Sequence, residues 1–266
     1  MITVLKYGAT NTYVISGTKG SLMFDTCWAG SFPLMCKALG EQGLKLQDIR
    51  YLLISHFHPD HMGIAQNIAD AGVTIAAASV QKGFLHASDG VFAKENKHIF
   101  KPIDDAKVRF FETDESGELL SELGIDGEVL HTPGHSDDSI SLWLKDERAL
   151  FVGDLNPLYE LEMHKGTRIE KSWQMLLALR PDIVYYGHAK PAQLSGRQVL
   201  KPISGGDVYA LVKKITRLTD KGCDTAKIAA KTGADPEFIR DVRRMYVTHP
   251  GVSVQGILDR IEIKGR

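Results

Sequence analysis

Cysteine is scarce: Cys27, Cys36 and Cys223 are the only three in 266 residues. An odd number without Cys-x-x-Cys spacing argues against a disulfide framework and fits a reducing compartment. Long apolar runs are missing too. No stretch approaches the roughly 18 uninterrupted apolar residues that a membrane-spanning helix needs. The opening Met1-Ile2-Thr3-Val4-Leu5-Lys6-Tyr7 reads as a strand and lacks the basic leader and apolar core of an export signal, so the expectation is a soluble, cytoplasmic protein. An excess of charge of one sign is absent, since the formal net charge is −1. Residues 1 to 200 hold 19 Lys and Arg against 25 Asp and Glu, while residues 201 to 266 hold 13 against 8. A mildly acidic larger part argues against a dedicated polyanionic substrate, because phosphates need positive charge to draw them in; bound dications would soften that argument. No internal period suggests a solenoid.

What the chain does have is histidine and aspartate in concentration. The run His56-Phe57-His58-Pro59-Asp60-His61 sets four metal-ligand types in six residues, directly after the apolar stretch Tyr51-Leu52-Leu53-Ile54-Ser55. His135, Asp154 and His188 close the segments Thr132-Pro133-Gly134-His135, Phe151-Val152-Gly153-Asp154 and Tyr185-Tyr186-Gly187-His188, each of which follows a short apolar run. All seven therefore stand where strands are predicted to end. In open α/β sheets that is where ligands gather, because loops converge there on a rigid support.

His56 and His58, two apart, project to one side of an extended chain and can grip one ion, which His135 would complete. Its neighbour His131 competes for that place, and the Pro133-Gly134 turn favours His135. Pro59 is tolerated in the first turn of a helix, and Ile64, Ala65 and Ile68 continue at helical spacing, so a helix is predicted over 61 to 71. Asp60 and His61 then face away from the first pair and, with His188, can hold a second ion. Asp154 is the remaining carboxylate at a matching strand end, and its two oxygens suit a bridge between neighbouring cations. Five imidazoles and two carboxylates favour two zinc ions over magnesium or calcium, with iron or manganese as alternatives. His86, His98, His164 and His249 lack partners in sequence.

These residues resemble the ligand pattern of the metallo-β-lactamase superfamily, His-x-His-x-Asp-His followed downstream by His, Asp and His. All seven positions are filled, at His56, His58, Asp60, His61, His135, Asp154 and His188. The resemblance spans roughly residues 1 to 200 and takes in Asn11-Thr12-Tyr13-Val14-Ile15 and Phe24-Asp25-Thr26, which look like the family's opening strands. It implies an α/β fold, an αββα sandwich of two sheets face to face with helices outside. Asp60 and Asp154 are candidate catalytic residues that would relay a proton to the leaving group. Tyr159 would be a hydrogen-bond donor to a developing oxyanion, as in similar lactonases, although packing explains that tyrosine equally well.

Along the chain, Ile2 to Tyr7, Thr12 to Ser16 and Ser21 to Phe24 read as strands, followed by a helix from Phe32 to Gln42. Residues 51 to 55, 61 to 71 and Val73 to Ala77 form a β-α-β pattern. Between Val80 and Asp105 no strand is evident; the segment reads as a lid that selects substrate or as a surface helix with a buried stripe. Val108 to Phe111, Glu128 to Leu130, Ile140 to Leu144 and Ala149 to Val152 would build the second half of the sandwich, and a helix from Glu170 to Leu179 precedes the strand Ile183 to Tyr186. From residue 201 to 266 an all-helical subdomain is expected: Asp207 to Lys221 is one helix, and Asp224 to Gly233 followed by Pro236 to Tyr246 resembles a helix-turn-helix. Arg240, Arg243 and Arg244 on its second helix invite a nucleic-acid reading, but a cap over the catalytic domain or a dimer interface is favoured.

The function these features point to is a dinuclear-metal hydrolase in which a bridging hydroxide attacks a small carbonyl substrate, an ester, thioester or lactone. β-Lactam hydrolysis is disfavoured, since lactamases with that activity lack an aspartate at the position of Asp154 and are exported. Three other readings compete: a phosphodiesterase or ribonuclease of the same superfamily, a non-haem iron oxidoreductase, and a regulator whose metal domain senses a metabolite while the terminal helices bind DNA.

Overall fold

The computed structural model describes residues 1–94, 99–194, 208–248 and 257. The chain divides into two compact units, Met1–Leu155 with Lys171–Ser195, and Asn156–Glu170 with Gly196–Arg266. The segment Asn156–Glu170 belongs to the second of these units.

Six strands form the first sheet in the order β1 (Ile2–Leu5), β2 (Thr12–Ser16), β3 (Ser21–Phe24), β4 (Ile49–Leu53), β5 (Thr74–Ala78) and β6 (Val108–Phe111). The first three pair antiparallel, and β3 to β6 run parallel. Parallel neighbours need crossovers, which helices supply. They are α1 (Phe32–Glu41) before β4, α2 (Pro59–Met62) and α3 (Ala65–Asp70) before β5, and a 3₁₀ turn Ser79–Phe84 with α4 (Asp89–Lys94) before β6. After α5 (Ser116–Ser121) come β7 (Gly127–His131), β8 (Ile140–Leu144) and β9 (Ala149–Phe151). Then α6 (Arg168–Ala178) leads to β10 (Ile183–Tyr185) and β11 (Ala192–Gln193). These five strands make the second sheet, ordered β11-β10-β9-β8-β7.

Side-chain alternation sorts the sheet residues into layers. Tyr13, Ile15, Leu22, Phe24, Tyr51 and Leu53 point to the second sheet and pack with Val129, Ile140, Leu142, Leu144 and Phe151. Their neighbours Val14, Met23, Leu52 and Ile75 point the other way, onto Met35 and Leu39 of α1 and Ile68 of α3. Two sheets face to face with helices outside is the αββα sandwich expected.

The helix predicted over 61 to 71 is instead two short helices, α2 and α3, with Gly63 between them. A Cβ on Gly63 would lie 2.4 Å from Ala29 N and 2.7 Å from Cys27 O. The loop after β3 passes against this backbone, and only glycine leaves room for it. Within the segment 80 to 105, the described residues form the 3₁₀ turn and α4 with turn and coil around them, and Phe92 is buried while Val91 is exposed.

In the second unit, α7 (Val208–Asp220), α8 (Thr225–Thr232) and α9 (Pro236–Thr248) share a core of Val212, Ile215, Ile228, Ile239 and Val242. Asp224 caps α8 by accepting from the Lys227 amide at 2.8 Å, and Gly233, left-handed at φ 71°, ends it. The three arginines of α9 are engaged within the unit: Arg240 pairs with Glu237 (3.8 Å), Arg244 with Asp241 (2.9 Å), and Arg243 donates to Thr225 Oγ1 (2.9 Å). No helix among the described residues is long and apolar enough to cross a membrane.

Candidate metal centre

The seven candidate ligands follow strands β4, β7, β9 and β10, and the fold brings all of them together in the first unit. Three overlapping groups have ligand atoms within 4.8 Å of one another: His56, His58 and His135; His56, His61 and Asp154; and Asp60, His61 and His188. His135 Nε2 lies 3.1 Å from His58 Nδ1. His188 Nε2 lies 3.0 Å from Asp60 Oδ2 and 3.3 Å from His61 Nε2. Asp154 stands between the groups, with Oδ1 at 3.2 Å from His61 Nε2, and Oδ2 at 3.4 Å from His188 Nε2 and 3.7 Å from His135 Nε2.

His131 points elsewhere, donating from Nε2 to the Asp137 carbonyl at 2.8 Å. His86 sits between Asp89 and Asp105, at 3.0 and 2.9 Å. His98 and His249 lie outside the described residues, as does the side chain of Tyr159.

Burial and mutual charge set the protonation of this cluster. Burial, with His61 alongside, holds His56 well below the ordinary imidazole range, so its ring is neutral. Burial lowers His135 as well. At His61 burial opposes charge, but Asp25 and Asp154 outweigh it and raise the ring well above its usual value. His188 is pushed up to about 10, burial being outweighed by hydrogen bonds to Asp154 and Asp60. Burial would raise Asp154, yet His61 and His188 hold it well below the carboxylate range. Asp60 is lowered too, against its burial, by the hydrogen bond from His188.

The chemistry of the donor set fits metal ions. His56 Nε2 and Asp154 Oδ1 are buried and make no hydrogen bond. Leaving such an atom unpaired costs about 1–3 kcal/mol. Imidazole nitrogens and carboxylate oxygens converging on one spot are the donors that zinc or iron takes.

Several residues that build the site escape a reading of motifs. Asp25, at the end of β3, accepts from Ser55 N with Oδ1 (2.6 Å) and faces His61 Nδ1 with Oδ2 (3.0 Å). It is left-handed, at φ 62°, a conformation that aspartate tolerates better than most residues. Its position after an apolar run is the same signal that marks Asp154. Asp138 Oδ2 accepts from Phe57 N at 2.7 Å, and the Gln81 amide donates to Ile54 O and Asp138 O at 3.0 and 3.1 Å, tying the His135 loop to the end of β4. Gly153 and Gly187 keep the floor clear. A Cβ on Gly153 would meet Ser55 Oγ at 2.4 Å, and one on Gly187 would meet Asp154 Oδ1 at 2.4 Å.

The sequence profile of the metallo-beta-lactamase superfamily matches residues 5–188, and the chain belongs to that superfamily. It is 30% identical over 148 residues to the Beta-lactamase-like protein 2 homolog of Caenorhabditis elegans, covering 54% of this chain and 43% of that protein. Over 161 residues it is 32% identical to a hydroxyacylglutathione hydrolase of Rhodopseudomonas palustris (strain HaA2), covering 57% of this chain and 51% of that protein. The chain thus spans about half the length of these curated relatives. Among solved structures, TTHA1623 in a di-iron-bound form shares the fold at a TM-score of 0.55 and 22% identity, covering 73% of this chain and 94% of that chain.

Proposed function

We propose that the protein is a metal-dependent hydrolase of small carbonyl compounds, an ester, thioester or lactone. One divalent ion would be held by His56, His58 and His135, a second by Asp60, His61 and His188, with Asp154 shared. The observation that carries this reading is the pair of buried, unbonded atoms, His56 Nε2 and Asp154 Oδ1, inside a convergence of five imidazoles and two carboxylates. Zinc suits the donor set best; the di-iron form of a protein with this fold keeps iron as the alternative.

Such ions, when bound, supply Lewis acidity toward a carbonyl oxygen and a nucleophile drawn from water at neutral pH. The chain supplies orientation and proton handling. Asp154 lies between the groups, with Oδ1 near His61 and Oδ2 near both His188 and His135, and would serve both. The Asp60 carboxylate, ionised and partly exposed beside His188, would relay a proton to the leaving oxygen or sulfur through whichever oxygen the metal leaves free. Among carbonyl substrates a thioester comes first, because hydroxyacylglutathione, which a relative's name specifies, is one.

The test is a turnover panel on the zinc-loaded protein, with acyl thioesters, lactones and activated esters set against bis(p-nitrophenyl) phosphate. Carbonyl substrates are expected to turn over, and Asp154→Ala to cost about 100-fold or more in kcat. Turnover of the phosphodiester alone, or an Asp154→Ala variant as active as the parent, would sink the proposal.

A further inference from the structure

The two groups of candidate ligands are not supported alike. In the Asp60, His61 and His188 group each ring turns Nε2 to the cluster and Nδ1 to a fixed acceptor: His61 Nδ1 to Asp25 Oδ2 at 3.0 Å, His188 Nδ1 to the Ala9 carbonyl at 3.1 Å. Ionised carboxylates and carbonyls accept and never donate, so Nδ1 keeps a proton in either charge state and the nitrogen that a metal can take is Nε2, aimed at the site. Asp25 is itself pinned, because its other oxygen accepts from Ser55 N at 2.6 Å.

The His56, His58 and His135 group has no such backing. His56 Nδ1 meets Ser55 Oγ at 3.0 Å, a hydroxyl that donates as readily as it accepts and therefore leaves the tautomer open. His58 Nδ1 and His135 Nε2 face each other at 3.1 Å, and the far nitrogen of neither ring has a hydrogen-bond partner among the described residues. These rings must choose tautomer and orientation when a metal arrives. Ligands that must be ordered on binding lose affinity to that ordering.

Taking the two-ion reading above as its basis, we infer that the sites are unequal: the Asp60, His61 and His188 site is preorganised and takes metal first, and Asp25 is the positioning residue responsible. Partners of this kind behind a metal-bound histidine are worth about 10–100-fold in metal affinity. At limiting metal the protein would carry one ion, at His61 and His188.

Calorimetric titration of the metal-free, full-length chain with Zn²⁺ tests this. Two steps are expected, about tenfold or more apart. His188→Ala should remove the tighter step and His135→Ala the weaker one. Asp25→Asn is the sharper variant. Its amide oxygen still accepts from Ser55 N and asparagine tolerates the left-handed backbone, but its NH₂ toward His61 Nδ1 cannot accept a proton. The tighter step should weaken about 10–100-fold and the weaker one stay put. Ser55→Ala should disturb the weaker step more. If Asp25→Asn does not fold, by its thermal melt, the two histidine variants still decide. Loss of the tighter step in His135→Ala, or equal weakening of both steps by Asp25→Asn, would overturn the inference. Two steps of equal affinity would overturn it while leaving the two-ion reading intact, whereas a chain that binds no zinc overturns both.

Discussion

Gly187 shows how little room the centre leaves at the scale of single residues. A methyl group there would press on Asp154 Oδ1 at 2.4 Å and on His61 Cε1 at 2.8 Å, the latter in a ring held by Asp25. Gly187→Ala should therefore displace the shared carboxylate and lower zinc affinity about 10–100-fold, read by competition with a chelator. Unchanged affinity would mean that the floor yields more than these distances allow. Protonation gives a second expectation. With His188 raised to about 10, its ring is charged at pH 7 in the metal-free chain, and a metal must displace that proton. Zinc uptake should release protons, and affinity should fall as pH drops, by about tenfold per pH unit for each proton displaced. Titrations in buffers of different ionisation enthalpy measure the release; none at pH 7 would contradict the charged state assigned to His188.

At the scale of elements, α6 supports the strand end that carries His188. Trp173 is fully buried and its ring lies 6.4 Å from that of Tyr186, two residues before the ligand. Trp173→Ala should cost about 3–5 kcal/mol in urea unfolding of the metal-free protein; a loss below 1 kcal/mol would show that this contact is not what seats the helix. Most elements were legible from periodicity. β8, for instance, spans Ile140–Leu144 as expected. The helix over 61 to 71 was not. Ile64, Ala65 and Ile68 keep helical spacing, but the interruption at Gly63 follows from the loop Cys27–Ala29 crossing it, and local periodicity carries no information about a segment more than thirty residues away. The short α5 and the two-residue β11 were missed because pieces of that length have little pattern to read.

For the molecule as a whole, the ligands bridge both halves of the sandwich, since His56 to His61 follow a strand of the first sheet and His135, Asp154 and His188 follow strands of the second. The Ile140 amide donates to Ser55 O at 2.8 Å, so the ends of the sheets are already joined there. A metal that binds only the folded arrangement stabilises it by mass action. Zinc at about 100 times its Kd should stabilise the native chain by about 2.7 kcal/mol, and a chelator should reverse the gain in a thermal scan. No shift with zinc would show that these side chains do not close on an ion.

The order of residues alone determined which side chains are ligand types, the strand ends that carry them and the alternation that assigns each strand residue to a layer, because all three depend on near neighbours and on a backbone of fixed period. The tertiary structure brings His135 and not His131 to the cluster, the choice that the Pro133-Gly134 turn had favoured, and it alone decided that Asp25 stands behind His61 while His56 has only a serine. Those relations join residues 36 apart in the case of Asp25 and His61 and 77 apart in that of His58 and His135. They are set by how two sheets pack, and the packing is decided by the whole core at once rather than by any local stretch of chain.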